Sequence, residues 1–334
     1  MAVLYGLITD IRNLLYEWRL LKVGQFERPV ISVGNITAGG SGKTPFTMLL
    51  IELLGGELRP AVVSRGYGRK SSGLQIVSDG AGKIIPVDQS GDEPALIARR
   101  FRQVPVLVAE DRSLGIREAI RRFNPDLILL DDAFQHRRAG RDCDIVMIAA
   151  GSQLSHEKML PLGNLREKLK NLRRADLIVI SGDGRVQKES DLRSLRKYYQ
   201  GDLYQCHFQP ECLVDGNLSQ KGSLEDLKSR KILAFAAIAH PRHFREMLEE
   251  LGPRIEIFET FPDHHFFSAT DQEFLINRAR DKNIRYIIST EKDIVKLNHA
   301  LFKDFHLAAV RLRGRIEPRQ TFLDILHRLI DLKM

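Results

Sequence analysis

Cysteine is scarce in this 334-residue sequence. The three thiols, Cys143, Cys206 and Cys212, are odd in number, and none belongs to a C-x-x-C pair. This count and spacing suggest neither a disulfide framework nor a zinc knuckle, and they suit a reducing cytosol. Biased tracts and fixed-period repeats are also missing, so the composition is that of an ordinary globular chain, and its length predicts two domains.

The sequence has no long uncharged apolar run. Its most apolar N-terminal stretch, residues 3–22, is interrupted by Asp10, Arg12, Glu17 and Arg19, which argues against a signal-peptide core or a spanning helix. The same stretch repeats Leu, Ile and Trp at helical spacing, from Leu4 to Trp18. Such an amphipathic helix could lie on a membrane surface or pack against its own domain.

Few aromatic residues are interleaved with the basic ones. Stacking on nucleic-acid bases requires such aromatic residues, so we expect no nucleic-acid partner. The net charge is nevertheless +8, and much of the excess lies between Arg99 and Arg174. A basic belt favours an anionic partner such as phosphate groups or an acidic lipid surface, although it could also be only a solvated face.

Short β-branched runs alternate with helical patterns along most of the chain, which predicts an α/β fold with mainly parallel sheets. A segment with an Asp-Gly turn separates two such series and reads as an extended linker or small hairpin. We therefore predict an N-terminal domain at 1–202, a β linker at 203–222 and a C-terminal α/β domain at 223–334.

The strand-like VISVGN and the helix-like FTMLLIELL flank a glycine-rich loop, TAGGSGKT. Glycines let backbone N–H groups turn toward a phosphate, a lysine reaches the β- and γ-phosphates, and a hydroxyl binds Mg²⁺. A threonine stands where the usual pattern has its first glycine. The predicted nucleotide-binding residues are Thr37, Ala38, Gly39, Gly40, Ser41, Gly42, Lys43 and Thr44.

Two acidic pairs follow. Asp131 and Asp132 follow the apolar run PDLILL. In phosphate-loop proteins, a strand of this kind brings a carboxylate to Mg²⁺. The alternative is that an aspartate caps the next helix. Which of the two is closer to the ion stays open. Asp92 and Glu93 precede a helical run, and alone they are typical helix-start carboxylates; they gain interest if an acceptor hydroxyl needs a base.

In the second half, Asp263, His264 and His265 of FPDHHFF could be a metal half-site, an oriented imidazole for proton transfer, or structural histidines. No third ligand at a recognisable spacing supports zinc. The later STEKD, at 289–293, does not have the spacing of a guanine-reading motif.

Eight segments, read in order, carry a resemblance: VGNITAGGSGKTP, SRGYG, GDEP, AEDR, LLDDAFQH, LPLGNLRE, FPDHHFF and STEKDIVKL. Together they resemble the tetraacyldisaccharide 4′-kinase family, the lipid A 4′-kinases of Gram-negative bacteria, from the N-terminal helix to about Leu297. The threonine-led loop is what this family has. The resemblance implies two α/β/α sandwich lobes, the first like a P-loop NTPase, joined by a small β linker.

The same resemblance implies ATP with Mg²⁺ as donor and the 4′-hydroxyl of a tetraacylated, 1-phosphorylated glucosamine disaccharide as acceptor. It implies peripheral attachment to the cytoplasmic face of the inner membrane, and no obligate protein partner is expected. Asp92 and His264 are implied as a catalytic pair with Lys43, and Thr44, Asp131 and Asp132 as the metal side. Implied substrate-side residues are Tyr67, Arg112, Gln135, His136 and Arg166.

The sequence departs from the family's usual pattern at Ala133, Asn164 and Ala239-His240, where side chains are added near predicted loops. Two other function classes stay open on the residues alone. One is a P-loop ATPase that acts as an assembly or metal-delivery factor, and the other is a nucleic-acid-binding ATPase.

Overall fold

Thirteen strands form one hydrogen-bonded sheet in the computed structural model, which describes residues 1–182 and 189–331. The strands are β1 Val30–Asn35, β2 Pro60–Ser64, β3 Gln75–Asp79, β4 Pro105–Val108, β5 Leu127–Asp131, β6 Cys143–Ala149, β7 Leu177–Gly182, β8 Leu203–Val214, β9 Gln220–Gly222, β10 Lys231–Ala236, β11 Arg254–Thr260, β12 Tyr286–Thr290 and β13 His306–Glu317.

Helices of one to four turns connect these strands. Within the described ranges they are α1 Ala2–Glu17, α2 Lys43–Leu54, α3 Val87–Ser90, α4 Asp92–Arg100, α5 Arg112–Phe123, α6 Glu189–Arg196, α7 Pro241–Leu251, α8 Ala269–Asp281, α9 Glu291–Ile294 and α10 Arg319–Asp331.

The strand order is β11-β10-β12-β13-β8-β7-β6-β1-β5-β2-β4-β3, with β9 paired to β8. Neighbours are parallel except, in the described part of the chain, at β3–β4, β8–β9 and β8–β13. The central strands are fully buried, as expected for a parallel sheet covered by helices on both faces. The prediction of a mixed α/β fold with mainly parallel sheet is therefore confirmed.

The two α/β series share this one sheet. Strand β8 pairs in parallel with β7 of the first series and antiparallel with β13 of the second, from Gln205–Glu317 to Val214–Ala309. Strands β8 and β9 occupy the segment predicted as a β linker. The linker is thus a sheet strand that joins both halves, while the domain limits 1–202, 203–222 and 223–334 stay predictions.

The last helix packs on the first half of the chain. The ring of Phe322 in α10 lies edge-on to Phe46 of α2, at 6.1 Å between centroids, and to Tyr204 of β8, at 5.2 Å. All three rings are fully buried. The apolar core is therefore continuous between α2, which follows the glycine-rich loop, and the C-terminal helix.

The sheet also sets the place of the predicted site. Strand β1 lies between β5 and β6, and Val33 of β1 is in register with Asp131 at the end of β5. Because the carboxyl ends of parallel strands meet at one edge, the loop after β1 and the acidic residues after β5 face the same edge.

Candidate active site

The glycine-rich loop leads directly from β1 into α2. Gly39 and Gly42 have positive φ, 105° and 76°, which explains glycine at these two positions. The Asn35 amide donates to Ser41 Oγ at 2.9 Å, and Ser181 Oγ donates to the Ser41 carbonyl at 2.7 Å. The loop is thus held by residues near the ends of β1 and β7, and Lys43 begins α2.

Position 37, where the loop begins, does not require a glycine. Thr37 forms an isolated antiparallel bridge with Leu165, so it is part of a short extended contact rather than a tight turn. The next residue, Ala38, donates its N–H to the Asn164 carbonyl at 2.6 Å. The loop entrance is therefore stabilised by the segment that contains one of the departures from the family pattern.

A second departure, Ala239-His240, also lies beside the loop. A Cβ built on Gly40 would sit 3.5 Å from both Ala239 Cβ and His240 Cδ2, so the second half of the chain faces the loop there. Ala133 does not require glycine, because it is not among the described residues with positive φ, and its side chain is buried.

The first acidic pair meets the loop. Asp131 is fully buried and accepts from Thr44 Oγ1 at 3.2 Å and from Thr47 Oγ1 at 3.1 Å. Burial, together with the charges of Glu93 and Asp132, raises the pKa of Asp131 to about 7. A buried carboxylate with a raised pKa is one that a nearby cation would stabilise in its charged form.

Asp132 faces cations already. Lys43 Nζ lies 3.7 Å from its Oδ1, and Arg166 Nη1 donates to both carboxylate oxygens at 2.9 and 3.1 Å. Burial alone would raise the pKa of Asp132, but Lys43 and Arg166 outweigh it and lower the pKa. Asp132 is therefore ionised, and it holds the loop lysine near the place where a phosphate would sit.

These residues fit Mg²⁺ bound together with a nucleotide. The donor set is one hydroxyl, of Thr44, and the carboxylates of Asp131 and Asp132. Mg²⁺ commonly uses one or two carboxylates and completes its shell with water and phosphate oxygens. Residues 1–182 and 189–331 contain no group of three His, Cys, Asp or Glu side chains that could hold a metal ion.

Four predicted substrate-side residues lie around this edge. Arg112 begins α5, and its backbone N–H donates to His136 Nε2 at 3.3 Å. Burial, with the charge of Arg112, lowers the pKa of His136 to about 4, so this ring is a neutral acceptor. Gln135 donates to the Asn35 carbonyl at 2.8 Å, which supports the end of β1. Arg112 and His136 are thus in contact with each other, whereas Arg166 contacts Asp132. The contact of these four residues with a substrate stays a prediction.

Asp92 and His264 meet although 172 positions separate them. Asp92 begins α4, and His264 Nδ1 lies 3.0 Å from both of its carboxylate oxygens. Burial alone would raise the pKa of Asp92, but the hydrogen bond from His264 and the charge of Lys292 lower it to about 2. The exposed Tyr67 ring lies edge-on to His264, at 5.0 Å between centroids. Asp92 is thus an ionised carboxylate that the second half of the chain orients.

A family model described as tetraacyldisaccharide-1-P 4′-kinase matches residues 1–331, nearly the whole chain. The chain belongs to this family. It is 38% identical over 336 residues to the tetraacyldisaccharide 4′-kinase of Syntrophus aciditrophicus, which covers 96% of this chain and 89% of the relative. It is 37% identical over 295 residues to that of Anaeromyxobacter dehalogenans strain 2CP-C, covering 87% and 78%.

A solved member of the tetraacyldisaccharide 4′-kinase family has the same fold. The crystal structure of "apo" form LpxK from Aquifex aeolicus in complex with ATP superposes with a TM-score of 0.81 at 31% identity. The match covers 98% of this chain and 97% of that chain. The resemblance inferred from the eight sequence segments is therefore confirmed.

The two histidines of FPDHHFF contact different carboxylates. His265 Nε2 lies 3.1 Å from Asp271 Oδ2, and the ring stacks on Phe261. The metal half-site is therefore not formed, and His265 is structural. The oriented-imidazole alternative agrees with the structure for His264, but the carboxylate on its Nδ1 is Asp92 rather than the neighbouring Asp263.

Two polar residues of this kinase-family site were not predicted from the sequence. Thr47 lies one turn after Thr44 on α2 and donates to the same carboxylate; the three-residue spacing on a helix was the available signal. Lys292 lies among Asp92, Glu93, Asp263 and His264. Its motif, STEKD, is one of the segments that carry the family resemblance, but the sequence indicates no role for this lysine.

Helix α1 presents its apolar stripe to solvent. Leu4, Leu7 and Ile11 are each about half exposed, at 57%, 53% and 49%, and Trp18 is 64% exposed. The buried side contains Gly6, Thr9 and Asn13 instead. The alternative in which the stripe packs against its own domain is therefore wrong.

Polar contacts hold α1 to the body of the protein. The buried carboxylate of Glu167 accepts from Asn13 at 2.8 Å and from Arg12 at 3.1 Å. Lys168 donates to Asp10 at 2.7 Å, and Arg173 donates to Glu17 at 2.7 Å. No helix among the described residues is long and apolar enough to cross a membrane.

Proposed function

We propose that this chain transfers the γ-phosphoryl group of ATP to the 4′-hydroxyl of a tetraacylated glucosamine disaccharide 1-phosphate. The observation that carries the proposal is the contact between Asp92 and His264 at 3.0 Å, in a family member that also has a complete phosphate loop. A carboxylate oriented by a histidine serves an acceptor hydroxyl. The assembly-factor alternative is not favoured, because the 4′-kinase family model matches residues 1–331.

The donor side is derived from the loop. The backbone N–H groups of residues 39–44 and the Lys43 ammonium would neutralise the β- and γ-phosphates. Thr44, Asp131 and Asp132 would hold Mg²⁺, which supplies further charge neutralisation on the transferred group. Arg166, paired to Asp132, keeps that carboxylate beside Lys43.

The acceptor side uses Asp92. Because its pKa is about 2, the carboxylate is charged at neutral pH and can accept the hydroxyl proton as the oxygen attacks phosphorus. A weak base suffices when the transition state is loose and little negative charge must be generated on the nucleophile beforehand. His264 orients the carboxylate, and the exposed Tyr67 beside it is a surface on which the sugar could rest.

We propose that the protein reaches this lipid at a membrane surface, on the cytoplasmic face. The support is the outward apolar stripe of α1. Four partly exposed cations also lie along the segment that holds this helix, each paired with Glu167, Asp10 or Glu17: Arg12, Lys168, Lys170 and Arg173. Cations beside an apolar helix face suit anionic headgroups.

The transfer is tested by mass spectrometry of the lipid after incubation with ATP and Mg²⁺. We expect the acceptor to gain one phosphoryl group with wild-type protein, and Lys43→Ala to abolish this gain. Lys43 supports charge in the transition state and packs no apolar core, so the variant should stay folded. Lys303→Ala, which removes an exposed lysine of the second half, is the matched control. ATP hydrolysis without lipid phosphorylation by the wild type would refute the proposal.

A further inference from the structure

Lys292 lies at the junction of the two halves of the site. Its Nζ is 3.3 Å from Asp263 Oδ1, 3.5 Å from Asp92 Oδ2 and 3.7 Å from Glu93 Oε1. Two of these carboxylates belong to α4 and the third precedes His264, so one ammonium links both segments. The lysine side chain is largely buried, at 17% exposure.

The charge state of Lys292 follows from these neighbours. Burial alone would lower its pKa, but Asp92, Glu93 and Asp263 outweigh burial and raise the pKa. Lys292 is therefore an ammonium at all physiological pH values. An ammonium has three N–H donors and no acceptor.

The same ammonium faces the histidine. Lys292 Nζ lies 3.3 Å from His264 Nε2, the ring nitrogen opposite the one that contacts Asp92. A nitrogen at hydrogen-bond distance from an ammonium must accept, so Nε2 carries no proton in this arrangement. The ring proton is then on Nδ1, 3.0 Å from both oxygens of Asp92.

We propose that Lys292 is a positioning residue for phosphoryl transfer: it keeps His264 Nε2 as an acceptor and so directs the Nδ1–H group at Asp92. This inference rests on the proposed function. In this proposal Lys292 contacts neither the glycine-rich loop nor the acceptor, and it acts only through His264 and Asp92. With the proton on Nε2 instead, the unprotonated Nδ1 would face the carboxylate of Asp92, and the hydrogen bond that orients this carboxylate would be lost.

The remaining neighbours of His264 do not fix its tautomer. Tyr67 meets the ring edge-on and supplies contact without selecting a nitrogen. Asp92 and Glu93 on α4 and Asp263 on the same loop are anionic, and they favour a doubly protonated ring. Lys292 is the cation that opposes this, since its charge lowers the pKa of His264 while the hydrogen bond to Asp92 raises it.

The test is a titration of His264 by nuclear magnetic resonance, with isotope-labelled histidine and proton–nitrogen correlation spectra. The signals are assigned by their loss in His264→Gln. In wild type at pH 8 we expect the proton on Nδ1. In Lys292→Met we expect His264 to titrate at higher pH and to show a mixture of tautomers. Lys303→Met, which removes a remote exposed lysine of the same half, should leave both readings unchanged.

Turnover is the second measurement. Misorientation of a catalytic group can lower a rate by about 10²-fold, so we expect Lys292→Met to reduce kcat by about that factor with the KM for ATP unchanged. Lys292→Arg keeps the charge and should recover part of both kcat and the His264 titration. An unchanged His264 titration in a folded Lys292→Met variant, or a loss confined to the KM for ATP, would overturn the inference.

The titration separates this inference from the proposed function. If the wild type does not phosphorylate the lipid, the function fails while the tautomer is still measured. If the lipid is phosphorylated and Lys292→Met has the wild-type tautomer and rate, the positioning role fails alone.

Discussion

Helix α1 gives the sharpest prediction about membrane attachment. We expect the triple substitution Leu4→Ser, Leu7→Ser and Ile11→Ser to abolish most vesicle binding while the fold is kept. Each of these side chains is about half exposed in the structure, at 57%, 53% and 49%. They are therefore available to lipid and contribute little to the core.

The magnitude follows from that exposure. Complete burial of a Leu or Ile side chain is worth about 1.5–3 kcal/mol, so burying the exposed half in lipid is worth about 1 kcal/mol per residue. Three residues then contribute about 3 kcal/mol, and since 1.4 kcal/mol is tenfold, their loss weakens partitioning about 10²-fold. Exposed substitutions usually change the free energy of unfolding by only about 0.5 kcal/mol each.

The assay is co-sedimentation with vesicles of phosphatidylethanolamine and phosphatidylglycerol. Phe274→Ser, an exposed aromatic of α8 at 46% exposure, is the control and should bind like the wild type. Point substitutions are preferable to deletion of residues 1–22, because deletion would also expose the buried carboxylate of Glu167. Wild-type binding by the triple variant would refute the role of the stripe. A collapsed melting temperature would show instead that the stripe supports the fold.

Two further predictions concern Asp92 and His264. Asp92→Asn should slow the chemical step by about 10²–10⁴-fold. The double variant with His264→Ala should be little slower than the slower of the two single variants, because the two residues act as a unit. Additive losses in single-turnover rates, or a loss confined to ATP affinity, would show that the two residues do not act together. The stability deficit of Asp92→Asn should depend on pH in both directions. Since the pKa of Asp92 is about 2 when folded against an ordinary 3.8, its contribution of about 2 kcal/mol is present above pH 4 and lost as the pH falls toward 2. Since the pKa of His264 is raised, its share is present below pH 6.5 and lost as the pH rises through the folded pKa. Urea unfolding of both proteins at several pH values checks this, and a deficit that stays constant with pH would contradict it.

Much of the local structure could be predicted from the sequence because it depends on near neighbours. The glycines of the loop, the strand before it and the helix after it all lie between Val30 and Leu54, and each has a typical composition. The acidic residues after β5 could be placed beside the loop, since parallel strands present their carboxyl ends at one edge. Thr47 was missed only because the helical spacing from Thr44 was not used.

The contacts between distant segments could not be predicted from the residues alone. The pairing of Asp92 with His264 entered only through the family resemblance, because nothing near either residue indicates the other. Lys292 was missed for the same reason: its partners lie on α4 and on the loop that contains His264. The continuity of the sheet through β8 and β13 likewise depends on pairing between strands about 100 residues apart.

The sequence by itself determined where the helices, strands and phosphate loop lie, because those follow from periodicity and from the backbone freedom of glycine. It also determined that α1 is amphipathic, but not which side of it meets the protein. Only the tertiary structure decided that. The polar side of α1 is held by Glu167, a buried charge that must be paired, and this contact turns the apolar stripe outward. Long-range packing and the pairing of buried charges involve residues far apart in the chain, so no local pattern records them.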